Sequence, residues 1–430
     1  MPSSTTKAAN PFAGYEPARL PTGPILIATD LSDESDAAFP LAQVIALRTR
    51  ADVNIVSVLQ PIAMPMYGFD SIPVSPTTDA TTRQGRTDAA NAQQARLVVT
   101  DHVWPVMIRT GDAAQEITEI ARTKQSRVIV VGRGRHGALQ RLLGGETVLR
   151  LLQSGDTPVL ATETGMTHLP RRVVIATDFS PFSLFAAQIA LSIVARDATI
   201  ILAHMAPWFE KSEDPTVDRT VAYREEAKQG FAALRAHIAR PDLIIEEALL
   251  EGQGTNHLIA FLTTANADLV VSATHGYGFV RRMVLGSVAA TLVREAPCSV
   301  LCVPGSAQTI AAARGRTMAN ATTRRLLPER FDAELRAFSE RNSGRPCAIE
   351  INQPELGAQR LGHGLPLVGA SYDRVGDTVA LMFGASQFAG QHLTHSIAAV
   401  SLIELATNGE GHDQVLRIGH GNGYTLLMLE

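Results

Sequence analysis

The stretch Ala273-Thr-His-Gly-Tyr-Gly-Phe-Val-Arg-Arg-Met-Val-Leu-Gly-Ser287 lies between an apolar run, 267–272, and a segment of helical spacing, 288–296. This order predicts a buried parallel strand, a glycine-bearing loop and a helix that begins at Gly286-Ser287. Glycines let backbone N–H groups turn towards one point, and the free N–H groups of a helix start carry partial positive charge. The stretch is therefore typical of a loop that cradles an anion such as phosphate.

A diverged copy of the whole arrangement occurs earlier in the chain. Pro24–Ser32 and Arg172–Ser180 are both apolar strands that end in Ala-Thr-Asp-x-Ser. Each is followed by an Ala-rich helix and a second apolar strand, and each copy closes with a short apolar strand, 158–161 or 297–303. Apolar strands that alternate with helices predict a parallel sheet covered on both faces. We therefore predict a tandem duplication of one α/β domain of roughly 140 residues.

The remaining segments differ in composition from the two copies. Residues 1–22, rich in Ser, Thr, Ala and Pro, are expected to be a disordered tail, and the copies are assigned to 23–165 and 170–305. Residues 306–327 read as a linker. Alternating apolar residues after one short helix predict a small α+β domain with an antiparallel sheet over 328–430.

Composition excludes several classes of function. The 430 residues are 45% apolar and 19% charged with a net charge of −4, which gives no electrostatic case for nucleic acid or a membrane surface as partner. The amino terminus has no signal-peptide core, and no apolar run is long enough to span a bilayer. Three cysteines in so long a chain favour a reducing compartment, so we expect a cytoplasmic protein.

The two copies resemble the universal stress protein family over residues 23–304. The resemblance rests on the Thr-Asp-x-Ser strand ends, the apolar second strand and the Gly-x2-Gly-x9-Gly-Ser/Thr spacing. It implies two five-stranded parallel sheets of the Rossmann-like, adenine nucleotide α-hydrolase-like type. It also implies ATP as ligand, with adenosine at the first two strand ends and the triphosphate in the glycine loop, and it implies that the last strands pair.

The second copy keeps most of the nucleotide signature. Ala273 stands at the first glycine position, Gly276 at the second and Gly286-Ser287 at the last. The resemblance implies a nucleotide site made of Ala176, Thr177, Asp178, Met205, Ser272, Ala273, Thr274, His275, Gly276, Gly278, Gly286, Ser287 and Val288.

The first copy departs further from the signature. Gly132 is kept, but Arg135 replaces the second glycine and Gly145-Glu146 replaces Gly-Ser. A carboxylate in the first turn of the helix competes with phosphate for the same N–H groups. We therefore predict that the second copy binds ATP and the first does not. A weaker first-copy site would comprise Thr29, Asp30, Val58, Gly132 and Gly145.

Single residues also have structural interpretations. An Asp after a strand caps the next helix in many proteins, which we favour for Asp30, whereas we favour ligand contact for Asp178 beside the glycine loop. His204, on an apolar strand, is expected to be a hydrogen-bonded core residue, and Cys298 and Cys302 are expected in the core. No acid and base lie at a spacing that suggests a catalytic pair, so we predict no catalytic residues.

These observations predict a regulatory ATP-binding protein of stress response, with Mg²⁺ accompanying the nucleotide. A slow ATPase and a scaffold without nucleotide are the alternatives, and the possible partners are a second copy of this chain or an unidentified protein.

The carboxyl-terminal region, residues 328–430, resembles a small domain family of unknown function through Pro366–Asp373 and His392-x-x-His395. On one helix face the two histidines would suit zinc, but no cysteine or carboxylate completes a recognised spacing, so we predict no metal site.

Overall fold

A computed structural model describes residues 12, 19–60, 62–63, 73–74, 80–99, 102–133, 138–206, 219–251, 255–274, 287–305, 322–353, 357–384, 393–407, 411–421 and 423–429. Within these ranges no helix is long and apolar enough to cross a membrane. Phe12, inside the segment expected to be a tail, is buried, and its ring centroid lies 5.2 Å from that of His237.

The first copy alternates strands and helices, as predicted. Its strands are β1 (Ile25–Ala28), β2 (Val53–Leu59), β5 (Val106–Thr110), β6 (Val128–Arg133) and β7 (Val159–Glu163), with β3 (Ile62–Ala63) and β4 (Pro73–Val74) forming a separate two-residue ribbon. Its helices are α1 (Ala38–Thr49), α2 (Ala80–Leu97), α3 (Ala113–Thr123) and α4 (Ala138–Ser154).

The second copy repeats this order. Its strands are β8 (Arg172–Ala176), β9 (Thr199–Met205), β10 (Ile244–Leu250), β11 (Leu269–Ala273) and β12 (Ser299–Val303). Its helices are α5 (Pro181–Leu191), α6 (Arg219–Ile238), α7 (Thr255–Thr264) and α8 (Ser287–Glu295).

The two copies share one ten-stranded sheet, in the order β10-β9-β8-β11-β12-β7-β6-β1-β2-β5. All neighbours within a copy are parallel. The last strands β12 and β7 pair antiparallel, with Leu301 opposite Leu160, so the predicted pairing of last strands occurs within this one chain. Successive residues of β1 face opposite sides of the sheet, so that Ile25 packs in one apolar layer and Leu26 in the other. Each layer continues across both copies.

The carboxyl-terminal region is an α+β domain with an antiparallel sheet, as predicted. The sheet order is β13-β18-β19-β20-β14-β15-β16-β17, and the helix α9 (Phe331–Asn342) packs against β15. The strands are β13 (Thr322–Arg325), β14 (Pro346–Gln353), β15 (Gly357–Asp373), β16 (Thr378–Phe383), β17 (Leu393–Ile397), β18 (Val400–Thr407), β19 (Asp413–His420) and β20 (Gly423–Leu429). The sheet thus begins at Thr322, inside the stretch that the sequence suggested as a linker.

Candidate functional site

A crevice is expected where the first and fourth strands of each copy lie side by side, because their connections leave to opposite faces of the sheet. In the second copy these strands are β8 and β11, and Ala176 is level with Ser272. Ala203 of β9 is level with Ala176 on the other side, so Met205 runs two residues further, alongside Asp178. The sheet therefore brings together the predicted positions on three strand ends.

The predicted phosphate cradle is described at its two ends, because His275, Gly276, Gly278 and Gly286 lie outside the described residues. At the carboxyl-terminal end of the cradle, Ser287 is the first residue of α8, and Val288 is half-buried against the core. Ser272 and Thr274 are buried, and Thr274 N donates to the carbonyl oxygen of Val303 at 3.0 Å.

A tight turn follows β8 and orients Asp178. Asp178 Oδ1 accepts a hydrogen bond from Ser180 N at 3.0 Å, and Ser180 in turn caps α5 by accepting from Ser183 N. Phe179 between them has φ 59°, a left-handed conformation that the turn imposes. Among the described residues Asp178 Oδ2 has no hydrogen-bond partner, so one carboxylate oxygen stays available.

His204 lies next to this turn, and both of its ring nitrogens form hydrogen bonds. Its Nδ1 is 2.7 Å from the carbonyl oxygen of Thr177, and its Nε2 contacts the hydroxyl of Tyr223. A carbonyl oxygen only accepts, so Nδ1 carries the proton and Nε2 accepts from Tyr223. Burial lowers the pKa of His204 below its ordinary value, against the opposing effects of the Thr177 hydrogen bond and the Asp178 charge. The prediction of a hydrogen-bonded core histidine is confirmed.

The first copy has a different arrangement at the same strand ends. Ser57, at the position of His204, donates to the carbonyl oxygen of Thr29 at 2.6 Å and accepts from Arg86 Nε at 3.0 Å. Arg86 Nη2 also reaches the carbonyl oxygens of Asp30 and Val58, each at 3.4 Å. Arg86 therefore bridges the two strand ends where a nucleoside would lie. In the second copy no side chain among the described residues bonds to the carbonyl oxygens of Asp178 and Met205.

Asp30 makes the same turn as Asp178. Its Oδ1 accepts from Ser32 N at 3.0 Å and from Ser32 Oγ at 2.6 Å, and the side chain is exposed. The interpretation as a direct helix cap needs correction, because Asp30 stabilises the turn before the helix rather than the helix start. A 3₁₀ turn, Ser35–Ala37, precedes α1, and no side chain caps it.

Gly132 and Gly145 are poorly suited to hold phosphate. A Cβ on Gly132 would lie 2.0 Å from the carbonyl oxygen of Glu34 and 2.6 Å from Ser35 Cα, so the chain's own backbone occupies this space. Helix α4 begins at Ala138 and continues through Gly145, which differs from a cradle in which the helix would begin at that glycine. An N–H group inside a helix donates to the carbonyl four residues earlier and is not offered to an anion.

Arg133, the residue after Gly132, joins the two copies, which sequence reasoning did not predict. Its side chain is buried, forms an ion pair with Glu163, and donates to the carbonyl oxygens at the end of α8. Nη1 lies 3.0 Å from the carbonyl oxygen of Val293, and Nη2 lies 3.0 Å from that of Cys298; the carbonyls of Leu292 and Ala296 also accept. Arg133 therefore supplies hydrogen bonds to carbonyls at the end of α8 and just after it, where intrahelical donors run out.

The cysteines of this region are core residues, as predicted. Cys298 and Cys302 are free and buried, and burial raises the pKa of each thiol to about 12. Because the thiolate is the reactive form, neither thiol is suited to nucleophilic or metal-binding chemistry.

Of the two histidines in the His392-x-x-His395 motif, the described one lies on a strand and not on a helix. His395 is part of strand β17, whereas His392 lies outside the described residues. No group of three or more His, Cys, Asp or Glu residues among the described residues is arranged to hold a metal. The Pro366–Asp373 motif ends β15, and its last residues, Tyr372 and Asp373, bond to Asp377 and to the backbone of the hairpin turn.

Comparison with known proteins identifies relatives of the two copies. The model of the universal stress protein family matches residues 22–163 and 170–304. A universal stress protein of Mycolicibacterium smegmatis is 28% identical over 293 residues, which cover 65% of this chain and 96% of that protein. One of Methanocaldococcus jannaschii is 28% identical over 141 residues, which cover 32% of this chain and 83% of that protein.

Solved structures include similar chains. A universal stress protein from Archaeoglobus fulgidus has 17% identity and a TM-score of 0.44, with 66% of this chain and 98% of that chain covered. A universal stress protein in complex with cAMP has 27% identity and a TM-score of 0.25, with 32% of this chain and 99% of that chain covered.

Proposed function

This chain belongs to the universal stress protein family, and from that premise we propose that its second copy binds an adenine nucleotide while its first copy does not. The observation that carries the proposal is the difference between the two sets of strand ends. Arg86 bridges the carbonyls of Asp30 and Val58, whereas Asp178 and Met205 have no such bridge among the described residues.

The ligand we propose is ATP with Mg²⁺. The nucleoside would lie at Thr177, Asp178 and Met205, and the phosphates would accept from the N–H groups of the glycine stretch 273–287. The free oxygen of Asp178 suits a sugar hydroxyl or a Mg²⁺-bound water. A relative contains cAMP, so AMP, ADP and cAMP are competitors in any binding test.

Binding rather than hydrolysis is favoured by the state of His204. Both ring nitrogens form hydrogen bonds, to Thr177 and to Tyr223, and burial lowers the pKa of His204, which disfavours uptake of a further proton. A general base must instead reach the proton it removes. We therefore assign the nucleotide a regulatory role in stress response, in which it biases the arrangement of the helices that frame the site.

A matched pair of variants tests the proposal. Gly286→Asp places a carboxylate in the second-copy cradle, and Gly145→Asp makes the same change at the corresponding position of the first copy. Purified proteins are denatured, the supernatants are analysed by mass spectrometry for nucleotide, and each protein is titrated with Mg-ATP, ADP, AMP and cAMP. We expect nucleotide binding by the wild type and by Gly145→Asp but not by Gly286→Asp. Equal binding by all three proteins, or binding by none, would overturn the proposal.

A further inference from the structure

A pocket lies between the two copies, at the amino-terminal ends of β8 and β9 of the second copy and so at the opposite end of these strands from the proposed nucleotide site. Its volume is about 450 Å³, within the range of small-molecule sites. It is lined by α1 of the first copy, by the connection between the copies, and by the residues just before β9.

The lining carries positive charge that the protein does not neutralise by contact. Arg48 of α1 has no hydrogen-bond partner among the described residues, and its Nε is buried. The charge of Arg48 acts on the nearby carboxylate of Asp242 without a hydrogen bond, because that carboxylate accepts instead from Arg240, whose Nε lies at 3.0 Å. A buried donor without an acceptor costs free energy, which a ligand with an acceptor oxygen would recover.

Two further arginines border the same pocket. Arg171 pairs with Asp197 at 2.6 Å, so these two charges cancel. Arg196 forms no hydrogen bond or ion pair with any described residue and is exposed. The pocket therefore offers two unpaired guanidinium groups, one from each copy, and guanidinium groups suit the planar oxygen pairs of carboxylate and phosphate.

Apart from these charged residues and the polar Thr167 and His168, the lining is apolar. Val44 and Leu169 are partly buried and pack against the core that continues across both copies, and Ala195 is buried. A bare inorganic anion would leave this surface uncovered, whereas an anion with an apolar body would remove it from water.

We propose that this pocket binds a small organic oxyanion, whose apolar body lies on Val44 and Leu169 and whose carboxylate or phosphate accepts hydrogen bonds from Arg48 and Arg196. Because the two arginines belong to different copies, the ligand bridges them and stabilises their arrangement. This site is separate from the nucleotide site and does not depend on the proposed function.

Phenyl phosphate is the probe, with benzoate, inorganic phosphate and phenol for comparison. Titrations are carried out calorimetrically in the Gly286→Asp protein, so that the second-copy glycine stretch does not contribute. The variants are Arg48→Gln and Arg196→Gln. The control is Arg50→Gln, which removes the same charge two residues from Arg48 but outside the pocket lining. A urea midpoint for each variant checks folding, and Arg196, being exposed, gives a test that does not disturb the core.

We expect saturable binding of phenyl phosphate, weaker binding of inorganic phosphate and none of phenol. Loss of one charged hydrogen bond should raise Kd about tenfold in Arg48→Gln and in Arg196→Gln. Arg50→Gln should keep the Kd of its parent. The proposal is overturned if neither phenyl phosphate nor benzoate binds, or if Arg48→Gln and Arg50→Gln bind phenyl phosphate equally.

Discussion

At the scale of the residue, the burial of His204 makes the stability of the folded protein depend on pH. Because burial lowers the pKa of His204 in the folded protein below the ordinary value of 6.5, the unfolded chain takes up its proton first as the pH falls. The contribution of His204 to stability is therefore complete above about pH 6.5 and is lost progressively below it. We expect the midpoint of urea unfolding to decrease when the pH is lowered from 7.5 to 5.5. The decrease should be smaller in His204→Gln.

The measurement is a set of urea unfolding curves at both pH values for the wild type and His204→Gln. Burial also lowers the pKa of His395 and His420 in the carboxyl-terminal domain, so only the difference between the two proteins reports on His204. An equal loss of stability in both proteins would show that His204 takes no part in the pH dependence.

Gly132 gives a second prediction for a single residue. Since a Cβ there would meet the backbone at Glu34 and Ser35, Gly132→Ala requires the turn before α1 to move, and overpacking of this kind costs typically 1–3 kcal/mol. The second copy already carries an alanine, Ala273, at the corresponding level of β11. The midpoint of urea unfolding should therefore drop in Gly132→Ala but change little in Ala273→Gly, and equal effects would contradict this difference between the copies.

At the scale of the element, helix α8 is held at its carboxyl end by the other copy. Arg133→Met would remove the buried ion pair with Glu163 and a hydrogen-bond donor shared by four carbonyl oxygens. Breaking a buried pair in this way costs about 3–5 kcal/mol. We expect a loss of that size in the free energy of unfolding, measured by urea denaturation.

The double variant Arg133→Met/Glu163→Gln separates the two parts of this loss. Glu163→Gln removes the charge that Arg133 balanced and should recover part of the stability, whereas the four carbonyl oxygens still lack the Arg133 donor. A double variant as unstable as the sum of the single changes would mean that the two side chains act independently.

The elements of the two copies were predictable because the pattern was local and repeated. The carboxyl-terminal sheet was predictable only in part. Five of its strands coincide with runs of alternating apolar residues, whereas β13, β15 and β17 lack such a run. Strand β15 contains Gly362, Gly364 and Pro366, residues that usually interrupt strands, and the sheet accommodates this region through irregular register next to Leu367.

The candidate site was predictable at its strand ends but not in its surroundings. The positions of Asp178 and Met205 follow from parallel strands whose carboxyl ends share one edge. The contacts of Arg86 with Asp30 and Val58, and those of Arg133 with α8, join residues 28–160 positions apart in sequence. Such contacts depend on how helices pack and have no local sequence signal.

At the scale of the whole molecule, the antiparallel pairing of β7 with β12 converts two sheets into one. Each of these strands would otherwise present a row of unpaired backbone groups at a sheet edge. Both are fully buried, and Leu160 and Leu301 lie opposite each other at the centre. The duplication therefore supplies within one chain a surface that a single copy would have to cover with a partner.

This arrangement makes a prediction about local stability. Strands β7 and β12 are covered on both faces and paired on both sides, whereas β5 and β10 form the two edges and are partly exposed. Amides at the centre should therefore exchange with solvent only through global unfolding, and those at the edges through smaller openings. Hydrogen exchange followed by mass spectrometry of peptides should show the slowest exchange in 159–163 and 299–303.

The Arg133→Met variant should speed exchange at the centre more than at the edges, because it loosens the contact between the two copies. Exchange at the centre as fast as at β5 and β10 would mean that the two copies open independently of each other.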